Sequence, residues 1–178
     1  MKKVPAWVIL CVVALVAGLA LGVTNALTEE RIADQARRAA EAARAEVLPA
    51  AANFELVTED DPTVDNCYKG VDASGNVVGY VAQITVTGFG GPIEVTLGVG
   101  ADGKLTGVKC GGSAFSETPG LGAKVRDAQF SEQFAGMAAP VALTKNGGNV
   151  DSVTAASISS GAVCDAINQA AAYIAGIA

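Results

Sequence analysis

The sequence contains the run Val77-Val-Gly-Tyr-Val-Ala-Gln-Ile-Thr-Val86, followed by Ile93-Glu-Val-Thr-Leu-Gly-Val99 and Leu105-Thr-Gly-Val108. These segments are rich in β-branched residues and partly alternate between apolar and polar side chains, which is the pattern of half-buried strands. This strand-like pattern begins near Phe54 and continues to Cys110. The pattern therefore predicts an antiparallel β-sheet meander over this part of the chain.

Turn and helix signals flank these strands. Asp72-Ala-Ser-Gly-Asn76 and Ala101-Asp-Gly-Lys104 predict hairpin turns, because glycine takes positive φ at no steric cost. We expect a short helix over Asp127–Phe134 and a longer closing helix over Ser159–Ile177. The resulting fold class is α+β, with a single domain that carries the sheet and flanking helices.

The chain begins with a segment suited to a membrane. Val4 to Val23 contains no charge, and about twenty apolar residues cross the hydrocarbon core of a bilayer. Lys2 and Lys3 precede this segment, and the acidic Glu29 and Glu30 follow it. The positive-inside rule then predicts a single-pass protein of the cell membrane with a cytoplasmic N-terminus and an extracytoplasmic domain. A cleaved signal peptide is the alternative interpretation.

A helical stalk is predicted after the apolar segment. Residues Asn25 to Leu48 place small and apolar side chains at three-to-four spacing, and Pro49 ends the helix. The expected organisation has four parts: a cytoplasmic N-terminus of residues 1–3, a transmembrane helix of residues 4–23, a stalk of residues 24–49, and an external domain of residues 50–178.

Composition excludes several kinds of chemistry. The 178 residues include no histidine, which excludes histidine-based catalytic triads, histidine-ligated zinc and ordinary haem ligation. The net charge of −6 gives no sign of the basic surface of a nucleic-acid-binding protein. No CxxC pair is present, so no metal site is predicted. Cys67 and Cys110 could form a disulfide or remain free thiols, and the sequence leaves both open.

Three segments contain more glycine and hydroxyl residues than a scaffold needs. Gly88-Phe-Gly-Gly-Pro-Ile93 brings backbone close to another group or forms a simple hairpin. Ser116-Glu-Thr-Pro-Gly-Leu-Gly-Ala-Lys124 offers an acceptor, a hydroxyl and bare amides, which suit a flat polar ring or a phosphate.

The third segment is Asp151-Ser-Val-Thr-Ala-Ala-Ser-Ile-Ser-Ser-Gly-Ala-Val163, in which five residues carry hydroxyl groups. It leads into the last predicted helix, whose N-terminus would stabilise a phosphate. We expect Ser159 or Ser160 to cap that helix. The small residues around Thr154 and Ser157 leave a hydroxyl open to another enzyme.

Together these segments resemble the FMN-binding domain family, and within it the G subunits of Rnf ion-translocating electron-transport complexes. The resemblance also covers Thr24-Asn-Ala-Leu-Thr28 and Val47-Leu-Pro49. The late motif of the family reads Asp-x-x-Ser-Gly-Ala-Thr-x-Thr-Ser, and its threonine carries FMN through a phosphoester bond. Ser157 stands at the position of that threonine, and Ala155 at the glycine. Alanine disfavours the positive φ that glycine allows there.

The resemblance implies a covalent FMN cofactor on Ser157 and a role as an electron carrier without independent catalysis. It implies other subunits of the membrane complex as partners, and a magnesium-dependent flavin transferase that uses FAD and releases AMP. The alternatives are the C subunit of a sodium-translocating NADH:quinone reductase and a membrane-tethered binding or sensory domain without redox function. The cofactor-binding residues expected besides Ser157 are Gly90, Gly91, Ser116, Glu117, Thr118, Gly120, Leu121, Gly122, Lys124, Thr154, Ala155, Ala156, Ser159 and Ser160.

Overall fold

A computed structural model describes residues 5–59 and 61–178. Lys2 and Lys3, on which the predicted orientation depends, lie outside these described residues. Helix α1 runs without interruption from Ala6 to Val47. Among the described residues it is the one helix long and apolar enough to cross a membrane. Residues Ala40–Ala178 form one compact unit. This unit includes the end of α1 and therefore begins before residue 50, where the external domain was predicted to begin.

Five antiparallel strands form one sheet in sequence order. They are β1 (Asn53–Glu59), β2 (Asn66–Val71), β3 (Val77–Thr87), β4 (Pro92–Gly100) and β5 (Leu105–Gly111). The predicted meander and α+β class are confirmed. Both predicted turns are present, with Gly75 at φ 84° and Gly103 at φ 76°.

Helices cover the chain after the sheet. Helix α2 (Ala128–Ser131) continues as a 3₁₀ turn over Glu132–Phe134, which confirms the short helix predicted there. Helix α3 (Ser157–Ile177) closes the domain and begins two residues before the predicted start. It packs on one face of the sheet, where branched apolar side chains alternate inward along the strands. The most deeply buried members of this core include Val95, Leu97, Val163 and Ile167.

The opposite face of the sheet receives the end of α1. Val47 and Leu48 are each 1% exposed, although most of α1 is exposed. The Thr106 hydroxyl donates a hydrogen bond to the Val47 carbonyl, which satisfies one of the acceptors left free at a helix end. Glycines on four strands make room for these two residues. A Cβ atom on Gly70 or Gly79 would meet the Leu48 side chain, and one on Gly98 or Gly107 would meet the Val47 backbone.

The sheet order shows that Cys67 and Cys110 do not form a disulfide. Cys67 lies on β2 and Cys110 on β5, with β3 and β4 between them. Three strand spacings amount to about 14 Å, which is beyond the reach of a disulfide. All four cysteines are free thiols. Burial raises the pKa of Cys67 to about 11 and that of Cys110 to about 12.

Candidate functional site

The β3–β4 turn, the loop before α2 and the start of α3 meet in space. The backbone N–H of Gly90 in the turn donates to the Glu117 carboxylate over 2.9 Å. The N–H of Phe89, beside it, donates to the Ser159 hydroxyl over 3.3 Å. The structure thus brings together all three segments that the sequence singled out, although they lie far apart along the chain.

Glu117 is the centre of this contact and is only 5% exposed. A Cβ atom on Gly88 would collide with its Oε1 atom, and one on Gly122 would collide with Oε2. A Cβ atom on Gly90 would lie 3.0 Å from the Glu117 Cα atom. These glycines therefore make room for a buried glutamate, a role that the sequence did not reveal.

Ser116 holds the other side of the turn. Its hydroxyl donates to the Gly90 carbonyl over 3.0 Å, and a Cβ atom on Gly91 would collide with the same hydroxyl. Gly91 has φ 155°, in the range that favours glycine. Gly90 and Gly91 thus contact Ser116 and Glu117. Phe89, in the same turn, lines a neighbouring cavity.

Helix α3 begins at Ser157, and Ala156 occupies its N-cap position without a side-chain hydrogen bond. The prediction that Ser159 or Ser160 caps the helix is wrong, because both lie inside the first turn and are fully buried. Their hydroxyls accept hydrogen bonds from the N–H groups of Phe89 and Val153. The start of α3 therefore keeps the free amides of an uncapped helix.

A cavity of about 300 Å³ opens in front of Ser157. Ser157 is half-buried and lines this cavity. Three large apolar side chains on the cavity wall are exposed: Phe89 by 74%, Ile158 by 60% and Leu121 by 43%. Exposed apolar side chains that gather in one place mark a binding site. The other lining residues are Glu117, Thr118, Gly122, Ala155, Ala156 and Ser159.

Ala155 has φ 59° and is the one residue other than glycine with positive φ in the described chain. An L-residue in this region costs about 1–2 kcal/mol. The sequence placed Ala155 at the glycine of the family motif, and the structure adopts the glycine-like conformation there. Strained backbone of this kind is concentrated at functional sites.

Seven predicted site residues do not line this cavity: Gly90, Gly91, Ser116, Gly120, Lys124, Thr154 and Ser160. Lys124 and Thr154 are exposed and line a second depression of about 180 Å³, together with Asp127 and Asp151. Gly120, with φ 80°, forms the turn before Leu121. Phe89 and Ile158 are not among the predicted site residues, although an apolar side chain inside a glycine- or serine-rich loop is a usable signal.

Family models match both parts of the chain. The model described as an FMN-binding domain matches residues 88–172, a range that contains all three converging segments. The model described as the RnfG N-terminal region matches residues 8–47, which lie within α1.

Relatives match almost the whole chain. The G subunit of the ion-translocating oxidoreductase complex of Methanosarcina acetivorans is 40% identical over 174 residues, which cover 94% of this chain and 92% of the relative. The G subunit of the Na⁺-translocating ferredoxin:NAD⁺ oxidoreductase complex of Acetobacterium woodii is 35% identical over 180 residues, which cover 90% of this chain and 86% of the relative. Among solved structures, the C subunit of the Na⁺-translocating NADH-quinone reductase of Parabacteroides distasonis is 21% identical, with a TM-score of 0.48 over 61% of this chain and 62% of that one.

Proposed function

Since this chain belongs to the family of G subunits of ion-translocating oxidoreductase complexes, we propose that it is a membrane-anchored electron carrier whose FMN is bound covalently to Ser157. Its own step is electron transfer between neighbouring redox centres of a complex that couples ferredoxin and NAD⁺ oxidoreduction to ion movement. Bound flavin supplies redox chemistry that the side chains of this chain do not have.

The placement of Ser157 carries the proposal. Its hydroxyl lies at the first residue of α3, beside amides that no side chain caps. A phosphate esterified to this oxygen would carry its negative charge next to the positive end of the helix dipole, which stabilises it. Ser159 and Ser160 are buried and already accept backbone hydrogen bonds, so they are poor acceptors for a transferred group.

The wall of the cavity supports the same ligand. Phe89, Leu121 and Ile158 offer exposed apolar surface to a flat ring system that starts from Ser157. Burial of apolar area yields about 25 cal/mol per Å², so a ring laid against these side chains is held in place. Glu117 and Thr118 add polar atoms at the same wall, which suit the polar edge of a flavin.

The first part of α1 serves as the membrane anchor in this proposal. We place residues 1–3 in the cytoplasm, residues 4–23 in the bilayer and residues 24–49 in a stalk, with the FMN domain of residues 50–178 outside. Covalent attachment then has a physical purpose, because a cofactor held only by noncovalent contacts could be lost from an extracytoplasmic site.

Two kinds of partner follow. The other subunits of the complex exchange electrons with the flavin. During maturation, a magnesium-dependent flavin transferase brings FAD to Ser157, and this chain is the acceptor in that reaction.

Colour after denaturation tests the proposal. The full chain should be produced together with a flavin transferase, purified in detergent, and denatured. We expect the wild-type chain and the Ser152→Ala control to keep yellow, fluorescent flavin after denaturation, and Ser157→Ala to lose it. A colourless wild-type chain, or a Ser157→Ala chain that keeps its flavin, would refute attachment at this residue.

A further inference from the structure

We propose that Gln133 is a positioning residue for flavin attachment, an inference that rests on the function proposed above. It holds the acceptor loop, defined as residues 151–157, in the conformation in which Ser157 is presented to the transferase. Gln133 is not among the predicted site residues, and it lies outside the cavity in front of Ser157.

The side-chain amide of Gln133 pairs with the main chain of Asp151 at both available atoms. The Asp151 N–H donates to Gln133 Oε1 over 2.8 Å, and Gln133 Nε2 donates to the Asp151 carbonyl over 3.2 Å. Gln133 itself precedes Phe134, which is fully buried and packs edge-on against Phe130 at a centroid distance of 5.4 Å. The side-chain amide of Gln133 therefore extends from a turn that is packed into the core, and it fixes the first residue of the acceptor loop.

Two further hydrogen bonds fix the middle of the loop. The Val153 N–H donates to the Ser160 hydroxyl over 3.0 Å, and the Ala156 N–H donates to the Val153 carbonyl over 3.0 Å. The residues between these points, Thr154 and Ala155, are exposed. Ala155 holds an unfavourable positive φ there, and such strain persists only where the surroundings hold the backbone in place. At the other end, Val150 just before the loop is bonded to Ala142 and Thr144, and the Gln133 pair extends this anchoring to Asp151.

The attachment step needs a fixed loop. The Ser157 oxygen forms a bond to the FMN phosphorus of FAD, the phosphoanhydride bond breaks, AMP leaves, and the hydroxyl proton passes to solvent. The attacking oxygen must be in line with the leaving group, and small errors of position in such a step have large effects on rate. A loop that can relax away from the strained conformation spends less time in the reactive geometry.

Gln133→Met tests the inference, because it removes both hydrogen bonds to Asp151, and with them a longer one of 3.4 Å to the Phe130 carbonyl, at similar side-chain volume. Gln169→Met is the matched control, since it removes a bond from Nε2 to the Thr63 carbonyl, far from the loop in sequence. With purified transferase, FAD and full chain in detergent, we expect Gln133→Met to lower kcat/KM for attachment about tenfold. The control should stay at the wild-type value.

Two further measurements separate positioning from a general loss of stability. Hydrogen exchange of the Asp151 amide should become faster in Gln133→Met, with or without flavin, and the exchange of α3 amides should not change. Adding Ala155→Gly should raise the attachment rate of Gln133→Met more than that of the wild-type chain, because glycine removes the strain that Gln133 holds. Equal attachment rates for Gln133→Met and wild type, or an unchanged Asp151 amide, would overturn the inference. A wild-type chain without flavin would overturn the proposed function itself.

Discussion

The Gly90 N–H donates to the carboxylate of Glu117 over 2.9 Å, and this bond joins the β3–β4 turn to the loop that precedes α2. Glu117 is buried, and a Cβ atom on Gly88 or Gly122 would collide with its carboxylate. The glutamate is therefore both a wall of the cavity and the support that holds its parts together.

Replacing Glu117 should reveal this double role. Glu117→Ala removes the acceptor of the Gly90 N–H, and a hydrogen bond to a charged group contributes about 1.5–3 kcal/mol. We expect the free energy of unfolding to fall by about that amount, and the absorption spectrum and reduction potential of the flavin to change more than its attachment. Glu117→Gln keeps an acceptor for Gly90 and should lose less stability. Equal stability of the alanine variant and wild type in urea unfolding would refute the supporting role.

A second prediction concerns the contact between α1 and the sheet. A Cβ atom on Gly98 would collide with the backbone carbonyl of Val47, which has no freedom to rotate away. Gly98→Ala should therefore destabilise the domain by about 1–3 kcal/mol. Gly111→Ala on the adjacent strand is the control, because a Cβ atom there meets nothing within 4 Å. If urea unfolding gives the two variants the same midpoint, then the Val47 contact does not constrain the sheet.

Relief of strain at Ala155 should stabilise the chain. Ala155→Gly removes the cost of positive φ but adds conformational freedom to the unfolded chain, which offsets part of the gain. We expect a net increase of up to about 1 kcal/mol in the free energy of unfolding, with flavin attachment retained. Thermal unfolding of the two purified proteins provides the measurement, and a clear loss of stability in the glycine variant would contradict the strain.

The buried thiols predict a loss of stability in alkali. Burial raises the pKa of Cys67 and Cys164 to about 11 and that of Cys110 to about 12, against an ordinary value of 9.0. Above pH 9 the unfolded chain ionises its thiols while the folded chain keeps them protonated. The folded state then binds more protons, so stability falls as pH rises from 9 towards 11.

Urea unfolding between pH 8 and pH 10.5 measures this effect. Cys110→Ala removes one of the three groups and should make the decline with pH less steep, whatever its effect on stability at pH 8. An equal decline in the variant and wild type would show that Cys110 does not contribute.

Much of the fold could be predicted from local sequence signals. β3 and β4 are central strands with β-branched residues facing the core, so the pattern of side chains indicates them directly. β1 and β2 were harder to separate, because β1 is an edge strand with Leu56 and Val57 exposed and a register shift between Leu56 and Thr58. Edge strands bury less surface and so keep a weaker alternation.

The start of α3 could not be predicted, because the residue that precedes it carries no capping side chain. Ala156 gives no local signal, and the hydroxyls of Ser159 and Ser160 suggested a cap that they do not form. They bond instead to Phe89 and Val153, contacts that exist only once the chain is folded. For the same reason the burial of Glu117 was not visible, since a glutamate in a loop is ordinarily exposed.

Peptide mass spectrometry across residues 125–178 tests the central proposal most directly. The full chain should be produced with an active flavin transferase, digested, and fragmented to locate any added mass. The account predicts one FMN, less the water lost in forming the ester, on the fragment that contains Ser157 and on no other residue. Protein with only the mass of its amino acids, or flavin on Thr154, Ser159 or Ser160, would contradict it.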